Sequence, residues 1–145
     1  MNGIWVFQSG QPYTPALGLD NSNTETFQDR PNKIGDPYAS GSGCSQTRTP
    51  NCWVNPAAFA ASAPGTFGNA GRGSLIGPGL KSIDFSLFKN TSFAEGRLVQ
   101  FRAEFFNIAN HPNFDNPIRT LGPTFGQIQS AGVSRQIQFG LRLVF

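Results

Sequence analysis

The sequence contains no run of apolar residues long enough for a membrane-spanning helix, which needs about eighteen or more. It also contains no amphipathic segment of helical period longer than about two turns. Charged residues make up only 13%, unlike the composition of a typical disordered tail. These absences indicate a folded chain that is built mainly from strands and turns.

Residue patterns for catalysis or metal binding are also missing. The single histidine, His111, lies between an asparagine and a proline, which is typical of a loop turn. The spacing of Cys44 and Cys52 is neither C-x-x-C nor a zinc pattern, and no serine stands in a nucleophile elbow. A hydrolase would need a clustered catalytic set. We therefore predict no enzymatic activity, no metal and no cofactor.

The two cysteines lie in one long loop. A local disulfide between Cys44 and Cys52 fits an oxidising compartment and would stabilise the loop by roughly 2–3 kcal/mol. Two free thiols are the alternative.

The net charge of +3 does not indicate a nucleic-acid partner. A phosphate-binding surface needs clustered basic residues with aromatic stacking platforms, whereas the charges here are interspersed in sign. We expect no nucleic acid to bind.

Alternation of apolar and polar residues is the main positive signal. It predicts four strands, at about residues 3–9, 79–90, 97–107 and 134–145. Their apolar positions form a predicted lipid-facing set: Ile83, Phe85, Leu87, Val99, Phe101, Phe105, Ile137, Phe139, Leu141 and Leu143. Their polar positions form a predicted lumen-facing set: Asp84, Arg102, Glu104, Gln136, Gln138 and Arg142. We expect the charged members of the second set to form a salt-bridge network. A soluble sandwich with a packed apolar face would show the same alternation.

The connections between these strands differ greatly in length. Loops at 10–78 and 108–133 are long, and the turn around residues 91–96 is short. Short turns at one end and long loops at the other are typical of outer-membrane barrels. The predicted fold class is therefore all-β, with antiparallel strands of an incomplete transmembrane β-barrel and long extracellular loops.

Among the loop aromatics, Tyr13 and Trp53 are candidates for contact with a ligand.

The beginning of the chain shows no signal peptide, because strand residues follow Met1 at once. Four strands also leave two open edges, which lipid does not tolerate. We therefore expect residues 1–145 to be a fragment of a longer barrel, either expressed as such or arising from a truncated gene model.

A series of short motifs resembles the carboxyl-terminal end of Oar-like TonB-dependent outer-membrane receptors. The motifs are DRPN at 29–32, GDP at 35–37, CWVNPAAF at 52–59, GTFGNAGRG at 65–73, GPG at 77–79, IDFSLFK at 83–89, QFRAEFFN at 100–107, NHPNF at 110–114, FGQI at 125–128 and RQIQF at 135–139. They cover nearly the whole chain and are specific in combination, although each is weak alone.

The resemblance implies the strands and loops of a transporter in the outer membrane of a Gram-negative bacterium. Its partners would be outer-membrane lipid, the rest of the barrel and its plug, an unidentified transported substrate, and the TonB complex through a part that this sequence lacks. Phe145 resembles the terminal signal that the barrel assembly machinery reads. The alternative function is a secreted β-rich adhesion or carbohydrate-binding module.

Overall fold

The computed structural model describes residues Met1–Phe145, which form eight strands and one short 3-10 helix at Pro56–Ala58. The strands are β1 (Asn2–Gln8), β2 (Pro12–Tyr13), β3 (Asn32–Lys33), β4 (Phe59–Ala60), β5 (Leu75–Ile76), β6 (Leu80–Ala94), β7 (Arg97–Phe106) and β8 (Gln136–Val144). None of the helical structure is long and apolar enough to cross a bilayer. The chain divides into two compact units.

The first unit, here called the strand unit, comprises residues 1–9, 79–113 and 132–145. Its four long strands form one antiparallel sheet in the order β1-β6-β7-β8, so the four predicted strands are confirmed. Their bounds differ most at the end of β6, which continues to Ala94. The predicted turn around residues 91–96 therefore narrows to Glu95 and Gly96, and Gly96 has the positive φ of +70° that favours glycine.

The sheet is open, with β1 and β8 as its edges. Gln8 lies opposite Leu80, and Phe106 lies opposite Gln136. The connections from β1 to β6 and from β7 to β8 therefore begin and end at the same end of the sheet. The short β6–β7 turn lies at the other end, as the connection lengths predict.

The second unit, here called the loop unit, comprises residues 10–78 and 114–131. The sequence predicts only loops in these stretches, but the structure shows a compact body with its own core. Short antiparallel pairs join β2 to β5 and β3 to β4. The buried core cluster consists of Tyr13, Val54, Ala58, Phe59, Ala70, Leu75 and Phe125. These core residues show no helical or strand periodicity in the sequence, because they are scattered through irregular backbone.

The aromatic residues proposed as ligand contacts belong to this core. Tyr13 is only 8% exposed, and its hydroxyl has no hydrogen-bond partner. Burial, with a smaller contribution from Tyr38, raises the pKa of the Tyr13 hydroxyl. Trp53 packs against the core, and its Nε1 donates to the carbonyl oxygen of Ile76 at 2.8 Å. Of the two candidates, Tyr13 is therefore not exposed for contact with a ligand, because its ring packs in the core.

A disulfide joins Cys44 to Cys52, whose Cα atoms are 6.1 Å apart. Each cysteine also closes a small antiparallel bridge, Cys44 with Gly41 and Cys52 with Thr49. The guanidinium of Arg48, within the disulfide loop, lies 4.5 Å from the centre of the Tyr38 ring. The loop is thus held by a covalent bond, by backbone pairs and by side-chain stacking.

The Asp29 carboxylate organises another irregular segment of the loop unit. It is buried and accepts hydrogen bonds from the Ser22 amide at 2.7 Å, the Ser22 hydroxyl at 3.1 Å and the Thr26 hydroxyl at 3.4 Å. Burial acts to raise the pKa of Asp29, but the donors from Ser22, Asn21 and Thr26 outweigh it and lower the pKa below its ordinary value. The ionised carboxylate therefore stabilises the folded segment.

Glycine is required where residue 126 passes the buried Val54. Gly126 has a φ of +78°, and a Cβ atom there would lie 2.6 Å from the Val54 carbonyl oxygen. Its amide and carbonyl are both used, since Gly126 donates to Ile118 and accepts from Trp53. A side chain at this position would meet backbone that is already fixed.

We predict that Gly126→Ala destabilises the loop unit by roughly 1–3 kcal/mol, because the new methyl group is both strained and crowded. The matched control is Gly122→Ala, where a Cβ atom meets nothing within 4 Å. Urea unfolding is followed by the fluorescence of Trp53 in the intact protein carrying Trp5→Phe. Equal stability of the two alanine variants would contradict the assignment.

The loop unit should also lose stability in acid through Asp29. Because the pKa of Asp29 is lower in the folded state, its contribution is complete above the unfolded pKa of about 3.9 and disappears as the pH falls through the folded value. Asp29→Asn should lower stability at pH 7 and reduce the acid-induced loss. The matched control Asp115→Asn removes an exposed carboxylate and should leave the stability at pH 7 close to that of the wild type. If the free energy of unfolding of Asp29→Asn fell with pH in parallel with that of the wild type down to pH 3, the role of Asp29 would be contradicted.

Candidate functional site

The pairing register places all ten residues of the predicted lipid-facing set on one face of the sheet, here called the apolar face. Directly paired residues form rows that cross β6, β7 and β8. The apolar residues of the three strands fall in the same rows. The rows are Phe85–Phe105–Ile137, Leu87–Ala103–Phe139, Lys89–Phe101–Leu141 and Thr91–Val99–Leu143. Ile83 lies opposite Trp5, which extends the same face onto β1.

Aromatic rings connect neighbouring rows of the apolar face. Phe101 and Phe139 stack with ring centroids 6.1 Å apart, and Phe105 meets Phe139 edge-on at 6.5 Å. Phe85 and Phe105, which are directly paired, have centroids 6.2 Å apart. Such cross-strand pairs contribute roughly 0.2–1 kcal/mol each and hold the register.

The apolar residues of β8 on this face are well exposed. The exposed fractions of Phe139 and Leu141 are 66% and 68%, and those of Ile137 and Leu143 are 52% and 57%. Neighbouring apolar side chains with this exposure form a continuous apolar patch. In water, a patch of this kind would promote aggregation. A surface of this kind is stable when hydrocarbon covers it.

The opposite face of the sheet is the polar face, and it contains all six residues predicted to face the lumen. Its rows are Ser86–Glu104–Gln138, Phe88–Arg102–Gly140 and Asn90–Gln100–Arg142. Gln136 lies opposite Phe106, and Asp84 lies opposite Ile4. The polar face is less uniform than the alternation predicts, because Ile4 and Val6 of β1 share it.

Glu104 and Arg102 of the polar face have partners other than the expected salt bridges. Glu104 accepts a hydrogen bond from the side-chain amide of Gln138 at 3.2 Å. The Arg102 guanidinium lies 5.0 Å from the centre of the Phe88 ring, which is directly opposite on β6. Phe88 interrupts the polar pattern in sequence, and the structure gives it a role as a cation–π partner.

Asp84 acts at the end of β7, where the chain leaves the sheet. Its Oδ1 accepts from the Asn107 amide at 2.9 Å and from the Ser82 hydroxyl at 3.1 Å. Asn107 has a φ of +49° and exchanges two hydrogen bonds of 3.0 Å with the backbone of His111. Asp84 and Asn107 therefore define where β7 stops, a role that the alternation of β6 does not indicate.

The remaining predicted site residues lie apart from these faces. The disulfide of Cys44 and Cys52 belongs to the loop unit. Phe145 follows the last residue of β8 and is 93% exposed. The structure contains no group of three or more His, Cys, Asp or Glu side chains placed to hold a metal ion.

Residues 1–138 match the family model described as the outer membrane beta barrel domain. Because the match covers almost the whole chain, the chain belongs to this family and forms part of the wall of a bacterial outer-membrane β-barrel. No curated protein and no solved structure matches the chain significantly. Family membership favours the membrane interpretation of the alternating strands over the soluble sandwich.

The two faces of β8 should tolerate a charge very differently. We predict that Phe139→Arg costs roughly 2–4 kcal/mol, because it places a guanidinium in hydrocarbon near the middle of the strand. Gln138→Arg places the same group on the polar face and should assemble normally. The measurements are the amount of intact protein in the outer-membrane fraction and its heat-modifiable migration on gels. Normal assembly of Phe139→Arg would reverse the assignment of faces.

Proposed function

We propose that this chain supplies wall strands and extracellular loops to a TonB-dependent receptor that takes up a substrate across the outer membrane. In this proposal, β6, β7 and β8 present the apolar face to lipid and the polar face to the lumen. Further strands pair with the open edges at β1 and β8, because unpaired backbone groups are too costly in hydrocarbon. The chain acts as wall and binding surface and performs no catalysis.

One observation carries the proposal. Both long connections begin and end at the same end of a sheet whose apolar residues share one face. Short turns on the periplasmic side and long segments outside are the arrangement of outer-membrane barrels. In an uptake receptor, the long segments are the part that meets a substrate first.

The assignment to TonB-dependent receptors is supported by the order of motifs that resembles the carboxyl-terminal end of the Oar-like group. In such a receptor the energy comes from the TonB complex, which is contacted through a part of the protein outside these 145 residues.

The TonB assignment can be tested without knowing the substrate. We expect the intact protein, tagged at its chromosomal locus, to be recovered with TonB after cross-linking in living cells. A known TonB-dependent receptor of the same cells serves as positive control, and a porin serves as negative control. Recovery no greater than that of the porin, with the protein present in the outer membrane, would show that the barrel belongs to another functional class.

A further inference from the structure

The loop unit contains a pocket of about 340 Å³ that is lined by three arginines. Arg30, Arg72 and Arg119 come from distant parts of the sequence, and Thr14, Ala16 and Gln28 complete the lining. The lining contains no aspartate or glutamate. The volume lies within the range of pockets that hold small ligands.

The backbone brings the three arginines together around residues 14–17. Ala16 donates its amide to the carbonyl oxygen of Arg119 at 2.8 Å. The Thr14 hydroxyl accepts the amide of Gly73, next to Arg72, at 2.8 Å. The Leu17 amide donates to the carbonyl oxygen of Asp29, next to Arg30, at 2.6 Å. Each arginine is therefore attached to the same buried segment through its own backbone or that of its neighbour.

Two of the guanidinium groups are also oriented by single hydrogen bonds. Nη1 of Arg30 donates to the Ala70 carbonyl oxygen at 2.9 Å, and Nη2 of Arg119 donates to Oε1 of Gln28 at 2.6 Å. A guanidinium has five N–H donors, so these bonds leave most of the donors of both groups for other partners. The two groups are held in place without being saturated.

Arg30, Arg72 and Arg119 give the pocket a lining with three cationic groups and no acidic side chain. Neutral acceptors such as Ala70 and Gln28 orient two of these groups but do not cancel their charge. The bidentate geometry of guanidinium matches the paired oxygens of phosphate and carboxylate groups. An anion of that kind would use the remaining donors and offset the positive charge.

We propose that this pocket is a binding site for a soluble anion that presents phosphate or carboxylate oxygens to Arg30, Arg72 and Arg119. All of the lining residues belong to the loop unit. Such a site goes beyond the proposed uptake function, because binding at this pocket requires neither TonB nor transport.

The test is a calorimetric titration of the intact protein, purified in detergent, with inorganic phosphate and separately with citrate. We expect saturable binding of at least one of the two ions below about 10 mM, weakened by added sodium chloride. The double variant Arg72→Gln/Arg119→Gln should bind at least about ten-fold more weakly, because it removes two of the three charges. The control Lys33→Gln removes an exposed charge of the same unit that does not line the pocket, and it should bind as the wild type does.

Several results would overturn the proposal. One is the absence of saturable binding of both ions, and another is equal weakening by the control and pocket variants. Binding only to vesicles that contain anionic phospholipid, with neither soluble ion bound, would identify a lipid-contact surface instead. Arg30→Lys keeps the charge but loses the fork geometry, so it should weaken binding while leaving the urea unfolding midpoint close to that of the wild type. If the double variant is unfolded by that measurement, Arg30→Lys decides the question.

Discussion

The alignment of apolar side chains across β6, β7 and β8 is the constraint on which the strand unit depends. Successive residues of a strand point to opposite faces, so a slip of one residue in either pairing would move the apolar residues of the slipped strand to the polar face. The rows through Phe105 and Phe101 show that no such slip occurs. The ring of Phe139 contacts the rings of both residues, and this packing favours the same register as the backbone hydrogen bonds.

The loop unit is built on a different principle. It contains only short strand pairs, and its order comes from a small core around Val54, a disulfide, and polar groups such as the Asp29 carboxylate that satisfy irregular backbone. Buried backbone groups need hydrogen-bond partners, and without long ladders the side chains supply many of them. This construction permits a fixed pocket lined by arginines in a stretch whose sequence indicates only turns.

The four long strands, their two faces and the placement of long connections at one end follow from alternation and spacing. The partners of Arg102 and Glu104 do not follow, because the aromatic Phe88 and the amide of Gln138 compete for them and only the register shows which residues are opposite. Tyr13 is a candidate for ligand contact only if loop aromatics are exposed, whereas the loop has a core that buries it.

The amino-acid sequence is sufficient to assign the strand faces, because alternation is a relation between residues two apart and needs no knowledge of the rest of the chain. The match of residues 1–138 to the outer membrane beta barrel domain likewise depends on the sequence alone. The shared pocket of Arg30, Arg72 and Arg119, by contrast, becomes visible only in the folded chain. Their proximity depends on backbone hydrogen bonds to residues 14–17 across long stretches of irregular chain, and no local periodicity records such contacts.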